Sequence, residues 1–191
     1  MSAWLALGAA GSFAAGSADA ARTEAMLERL ERLLAYEESA THALARWCRL
    51  RGFAADPMIT ARPVIGGVSE APEDARARLE VTPDEPLAFR HVKLTCGDVV
   101  LSDARNWYVP ARLPPEMNQR LTIGDRPFGT VIAPLGFHRE RLASRRGTGP
   151  GCPADTILTN RALIRLRGGS PLAFVVECYT AANLGPAPSA N

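Results

Sequence analysis

The sequence predicts an α+β domain built on a single antiparallel β-sheet, with helices at its N-terminal end and short helical crossovers. Three observations carry that expectation. Apolar residues recur at three- and four-residue steps over 22–51, the later segments alternate apolar and polar positions, and turn signals such as Gly97-Asp98 and Gly168-Gly169 join those segments in succession.

The elements follow in order. Met26, Leu27, Leu30, Leu33, Leu34, Leu44 and Trp47 mark two helices, with Ser39 and Thr41 suited to a break and a new N-cap, and Gly52 to a C-terminal stop. MITARPVIGG after Pro57 reads as a strand, and APEDARARLEV at 71–81 as a turn and short helix with acidic residues in its first turn. LAFRHVKLTC at 87–96 and VVLSDARNWYVP form a hairpin about Gly97-Asp98. PPEMNQRL at 114–121 starts a helix on prolines. IGDRPFGTVIAPLG, a strand FHRERLAS, the loop RRGTGPGCP and two last strands, ILTNRALIRLR and PLAFVVECYT, complete the domain. The tail AANLGPAPSAN is expected to fray.

Composition limits the function classes. At 191 residues and 47% apolar content the chain can bury a substantial core, and a formal charge of +2 from 22 basic and 20 acidic residues gives no reason to expect nucleic acid as a partner. The run RERLASRR, with Arg139, Arg141, Arg145 and Arg146, reads as a solvated strand-and-loop edge. The four cysteines are scattered and the three histidines lack an i, i+4 partner, so no metal is expected. Cys96 and Cys178 read as small buried hydrophobes, with disulfides open to them only in an oxidising compartment.

Residues 1–20 have two readings. WLALGAAGSFAAG followed by Ala18-Asp19-Ala20 has the form of a secretory signal with its cleavage site, yet no basic residue precedes it, as suits a disordered leader. Neither this run nor any other is long enough for stable membrane insertion. The expected organisation is therefore a leader at 1–20, a domain at 21–184 and a tail at 185–191, in a monomer.

Two charges stand in the wrong place. Arg90 falls on the apolar side of LAFRHVKLTC, and Glu177 lies in PLAFVVECYT, where both alternating sets are apolar. An unpaired buried charge costs several kcal/mol, roughly. Either the two pair with each other or with neighbours such as Asp103 and Arg105, or they face a shared cavity. In a cavity Arg90 would grip a ligand carboxylate and Glu177 would await a hydroxyl or a proton.

With these residues in place the chain from about Leu33 to Leu184 resembles the chorismate pyruvate-lyase family. The resemblance rests on Ser39-Ala40-Thr41, on Phe89-Arg90-His91-Val92-Lys93-Leu94 with Cys96 nearby, on Arg105 to Pro110, on Pro127-Phe128-Gly129 and on Val175-Val176-Glu177. It implies a chorismate-lyase-like fold and the cleavage of chorismate to 4-hydroxybenzoate and pyruvate without metal or cofactor. It also implies Arg90 and Glu177 as catalytic residues that contact the ligand, with Ala40, Thr41, Phe128 and Gly129 closing over it. The alternatives are a non-catalytic binder of a small aromatic carboxylate, exported if 1–20 is a signal, and a structural protein in which the charges simply pair. The same fold, by resemblance, serves as the sensing domain of transcriptional regulators, but 21–52 offers no basic recognition face.

Overall fold

A computed structural model describes residues 10–66 and 70–185. Helix α1 (Ala10–Tyr36) and helix α2 (Ala40–Arg51) precede strand β1 (Ile59–Pro63) and the short helix α3 (Ala75–Arg78). Strands β2 (Ala88–Cys96) and β3 (Val99–Tyr108) form the expected hairpin. Helices α4 (Pro115–Ile123) and α5 (Phe128–Ile132) lead to β4 (Phe137–Arg146), β5 (Thr156–Leu166) and β6 (Pro171–Thr180). All six strands join one antiparallel sheet in the order β1-β2-β3-β6-β5-β4. The α+β class and the chorismate-lyase-like arrangement are those of the structure.

That strand order positions everything else. β3 lies beside β6 near the centre, whereas β4 forms the far edge, so the chain between them must cross one face of the sheet, and α4 and α5 are that crossing. The same face is covered on its other half by α1 and α2. There Leu30, Leu44, Trp47 and Leu101 form one apolar cluster, while Met117, Leu121, Ile132 and Ala162 form a second under α4 and α5. The opposite face carries a third, with Leu79, Trp107, Leu163, Phe174 and Val176, covered by the segment around α3. β6 is consequently buried on both sides, which is why its sequence lacks polar alternation.

Local chemistry sets the helix ends. Ser39 is extended at the N-cap of α2 and accepts a hydrogen bond from the His42 amide at 3.4 Å, and Gly52 closes α2 at φ 64°, a left-handed conformation suited to glycine.

Three expectations change. α1 runs continuously through Ala18-Asp19-Ala20, so the residues of the suggested cleavage site are helical, and 1–9 lie outside the described residues. The start of the tail is docked: Asn183 is fully buried, donates to the Leu101 carbonyl at 2.7 Å, and its own carbonyl accepts from Trp47 Nε1 at 3.3 Å. Residues 186–191 of that tail lie outside the described residues.

The cysteines are the third. Cys48 is bonded to Cys96 and Cys152 to Cys178, with Cα separations of 6.1 and 5.5 Å, where the sequence reads Cys96 and Cys178 as buried thiols. The first bridge ties α2 to β2, and the second ties the β4–β5 loop to β6. Closing chain separations of 48 and 26 residues removes unfolded-state entropy worth about 3–4 kcal/mol per bridge on a chain-closure estimate. The paired replacement Cys48→Ser with Cys96→Ser is therefore expected to lower unfolding free energy by roughly that amount. Denaturant titration measures it, and thiol alkylation of the unfolded parent protein should label cysteine only after reduction.

Candidate functional site

A small cavity lies where the helices meet the sheet. The N-terminus of α2 supplies Ser39, Ala40 and Thr41, and the N-terminus of α5 supplies Phe128 and Gly129. The sheet contributes Asn106, Arg139 and Glu177 among apolar neighbours such as Val92 and Ile164, and the cavity volume is about 40 Å³.

Gly129 brings the two helix starts together. A Cβ at this position would lie 2.9 Å from Ser39 Oγ and 3.3 Å from Thr41 Oγ1, so only the absence of a side chain permits the contact. The Ser39–Thr41 and Phe128–Gly129 segments thus form one lid from two distant parts of the chain.

Beneath the lid the polar groups form a chain. Arg139 Nη2 donates to Glu177 Oε2 at 2.5 Å, and the Tyr179 hydroxyl donates to the same oxygen at 2.9 Å. The side chains of Arg139 and Glu177 are 4% and 8% exposed, so water screens the pair little. Burial disfavours the charged guanidinium, but the charge and hydrogen bond of Glu177 outweigh it, and the net shift of the Arg139 pKa is upward. Burial first, then the negative charge of Glu177, pushes the Tyr179 phenol well above its ordinary value. Arg139 Nε is buried and has no hydrogen-bond partner among the described residues. That orphaned donor sits in the residue that lines the cavity.

Five of the sequence-derived site residues, Ala40, Thr41, Phe128, Gly129 and Glu177, line this cavity. Arg90 does not. It points to the same sheet face, as its position in the alternation requires, but donates through Nε to the Leu121 carbonyl at 2.9 Å, and through Nη2 to those of Gly124 at 3.1 Å and Arg126 at 2.9 Å. It thereby satisfies carbonyls at the C-terminal end of α4 and just beyond, where a cation is favoured by the helix dipole. Asp103 and Arg105 pair with each other at 3.2 Å, and neither is bonded to Arg90 or Glu177.

The cation that meets Glu177 is Arg139, within the run read as a solvated edge. Arg146 fits that reading better, since it lies at the surface and binds Glu24 and Glu31 of α1. The two share a sheet face, because the bulge between Arg141 and Ala143 brings Arg146 opposite Leu158, and they differ in their place along β4. Arg139 is registered with Ile164, whose face continues through Ala173 into the covered side of the sheet. Among the described residues, no group of three or more His, Cys, Asp or Glu side chains is placed to hold a metal ion, and no helix is long and apolar enough to cross a membrane.

No family model matches the chain. It is 38% identical over 175 residues to the uncharacterized protein y4mC of Sinorhizobium fredii (strain NBRC 101917 / NGR234), with 82% of this chain and 74% of that protein covered. This chain belongs to the y4mC family.

Among solved structures, the chain is similar to PhnF of Mycobacterium smegmatis. The whole protein matches at a TM-score of 0.53 and 12% identity over 81% of this chain and 69% of PhnF, and the effector domain alone at 0.51 and 13% over 75% and 89%. A possible transcriptional regulator, YydK of Bacillus subtilis, matches at 0.48 and 14%, with 70% of this chain and 63% of YydK covered. The chain therefore spans less than two thirds of YydK.

These likenesses correct the family resemblance drawn from the sequence. The similar structures are PhnF and its effector domain rather than chorismate pyruvate-lyases, and the likeness is one of fold, which gives no support to chorismate cleavage. They lend no support to the alternative of an exported binder of an aromatic carboxylate. The expectation of no nucleic-acid partner gains no support from these likenesses either.

Two outcomes test the buried network. Arg139→Ala leaves the Glu177 carboxylate buried and unpaired and is expected to cost about 3–5 kcal/mol, whereas Arg139→Met combined with Glu177→Leu recovers most of the loss. Chemical denaturation of the single and double variants measures both. The raised Tyr179 pKa sets a pH effect: below about pH 10 folded and unfolded states both hold the proton, and above it only the unfolded state releases it. Stability should fall as pH rises beyond that point, and Tyr179→Phe should flatten the fall.

Proposed function

We propose that this chain is a small-molecule-sensing domain of the effector type, with its ligand held between the sheet and the N-termini of α2 and α5. The observation that carries the reading is the Arg139–Glu177 pair at the cavity, with Arg139 Nε unpartnered beneath a lid made from two separate helices. The fold shared with the PhnF effector domain supports it.

The ligand class follows from the lining. Arg139 offers a donor, Glu177 an acceptor, and Ser39, Thr41 and Asn106 offer groups of both kinds against apolar walls. Such a site suits a compact polar molecule that presents acceptors and donors together. A volume of about 40 Å³ holds little more than a water molecule, so a ligand must part α2 from α5 to enter. Parting them transmits occupancy: α2 is tied through Cys48–Cys96 to β2 and packs on α1, so a shift at its N-terminus reaches the helical layer.

A thermal-shift screen of sugars, sugar phosphates, amino acids and carboxylates is the direct test. A ligand at a hundred times its Kd is expected to add about 2.7 kcal/mol to folding stability. Arg139→Gln should abolish the gain while the variant stays folded by circular dichroism. A set in which nothing stabilises the protein, or a gain that survives Arg139→Gln, would remove the cavity from the proposal.

A further inference from the structure

The second face of the sheet carries a larger opening than the first. Between the segment leading into α3 and the β4–β5 loop lies a cleft of about 940 Å³, walled by Ala71, Pro72 and Asp74 on one side and Pro150 and Gly151 on the other. Its floor includes Trp107 and Val176 with two arginines, Arg105 and Arg161. None of these floor residues faces the cavity that holds Arg139.

Strand register fixes how the arginines stand. Arg105 on β3 is paired with Val176 on β6, and Val176 with Arg161 on β5, so the three form one row across the sheet. Two strand spacings separate the arginine backbones by about 10 Å, with the Val176 side chain between them. Each guanidinium is also anchored. Arg105 is held by Asp103, which is itself held by His91 Nε2 at 2.8 Å. Arg161 lies 5.0 Å from the centroid of the Phe174 ring and is held by Asp74 at 2.6 Å.

The anchoring leaves donors over. Arg105 uses Nη1 for Asp103, the Gly151 carbonyl and Cys178 Sγ, and Arg161 uses Nη2 for Asp74, so Nε and one terminal nitrogen of each carry no hydrogen bond to the described residues. Side-chain exposures of 17% and 28% leave both heads partly desolvated at the cleft floor. Partly buried guanidiniums with fixed orientation and spare donors are suited to carboxylate recognition. Glu70 and Glu73 stand exposed on the wall, where solvent and salt screen them.

We propose that this cleft is a second ligand site, for a small dicarboxylate whose two ends meet Arg105 and Arg161 and whose methylene chain lies over Val176 beside Trp107. The row of two cations about an apolar centre distinguishes it from a monoanion site: a single carboxylate engages one arginine and leaves the other solvated. The site is independent of the cavity under α2 and α5, on the opposite face of the same strands.

Adipate is the probe, with hexanoate as its monoanionic counterpart of equal carbon number, and isothermal titration calorimetry of the full chain is the readout. Adipate is expected to bind, and hexanoate at least about tenfold more weakly, because one charge-assisted contact is lost. Arg161→Gln should weaken adipate by about tenfold or more for the same reason. Ala71→Trp, which fills the cleft and leaves both arginines in the sequence, should abolish binding, and it keeps the test decisive if Arg161→Gln disturbs the packing on Phe174. Arg139→Gln should leave adipate affinity as in the parent chain, even where it abolishes ligand response at the cavity. The proposal is overturned if adipate gives no binding heat, if hexanoate binds equally, if Arg161→Gln and Ala71→Trp bind like the parent, or if Arg139→Gln alone removes binding.

Discussion

The Glu177 carboxylate lies on a strand that water reaches from neither side, and it must be met by a cation. The fold supplies that cation from the far edge of the sheet, across β5, in the side chain of Arg139. This pairing constrains much of the architecture. β4 must run antiparallel at the edge in the register that turns Arg139 inward, and the chain from β3 must cross the sheet to reach it. The crossing supplies α4 and α5, and α5 supplies half of the lid over the pair.

Arg90 and Arg139 solve related problems in different ways. Both extend from strands toward the covered face, and both are too far from solvent to remain without partners. Arg90 takes carbonyls left open where α4 ends, so it fixes the position of the crossing helix. Arg139 takes a carboxylate, and each guanidinium keeps one buried nitrogen, Arg139 Nε and Arg90 Nη1, without a hydrogen-bond partner among the described residues. The two sheet faces divide in a comparable way. One is covered by helices that must separate for anything to enter, whereas the other has only a short segment and a disulfide-tied loop over it, leaving an open cleft.

Much of the fold is legible because its signals are local. Ser39 caps α2, Gly52 ends it, Gly97-Asp98 turns the first hairpin, and alternation sets which face each strand residue takes. Part of the site is legible for the same reason: Ala40, Thr41, Phe128 and Gly129 lie at helix starts, and Glu177 is conspicuous as a charge in an apolar strand. Arg139 is hidden, since in a run with three other arginines its composition says surface, and only register with Ile164 says otherwise. The disulfides are hidden too, because Cys48 and Cys96 become neighbours only when α2 packs on β2.

By itself, then, the sequence determined the α+β class, the order of helices and strands, and the presence of buried charges that need partners. These depend on near-neighbour periodicity, capping and the cost of desolvating an ion, all of which a linear chain displays. Only the tertiary structure decided which cation meets Glu177, which cysteines bond, and that Arg90 closes a helix rather than a pocket. Those outcomes depend on strand order and on the crossing between β3 and β4, which bring together residues far apart in the chain.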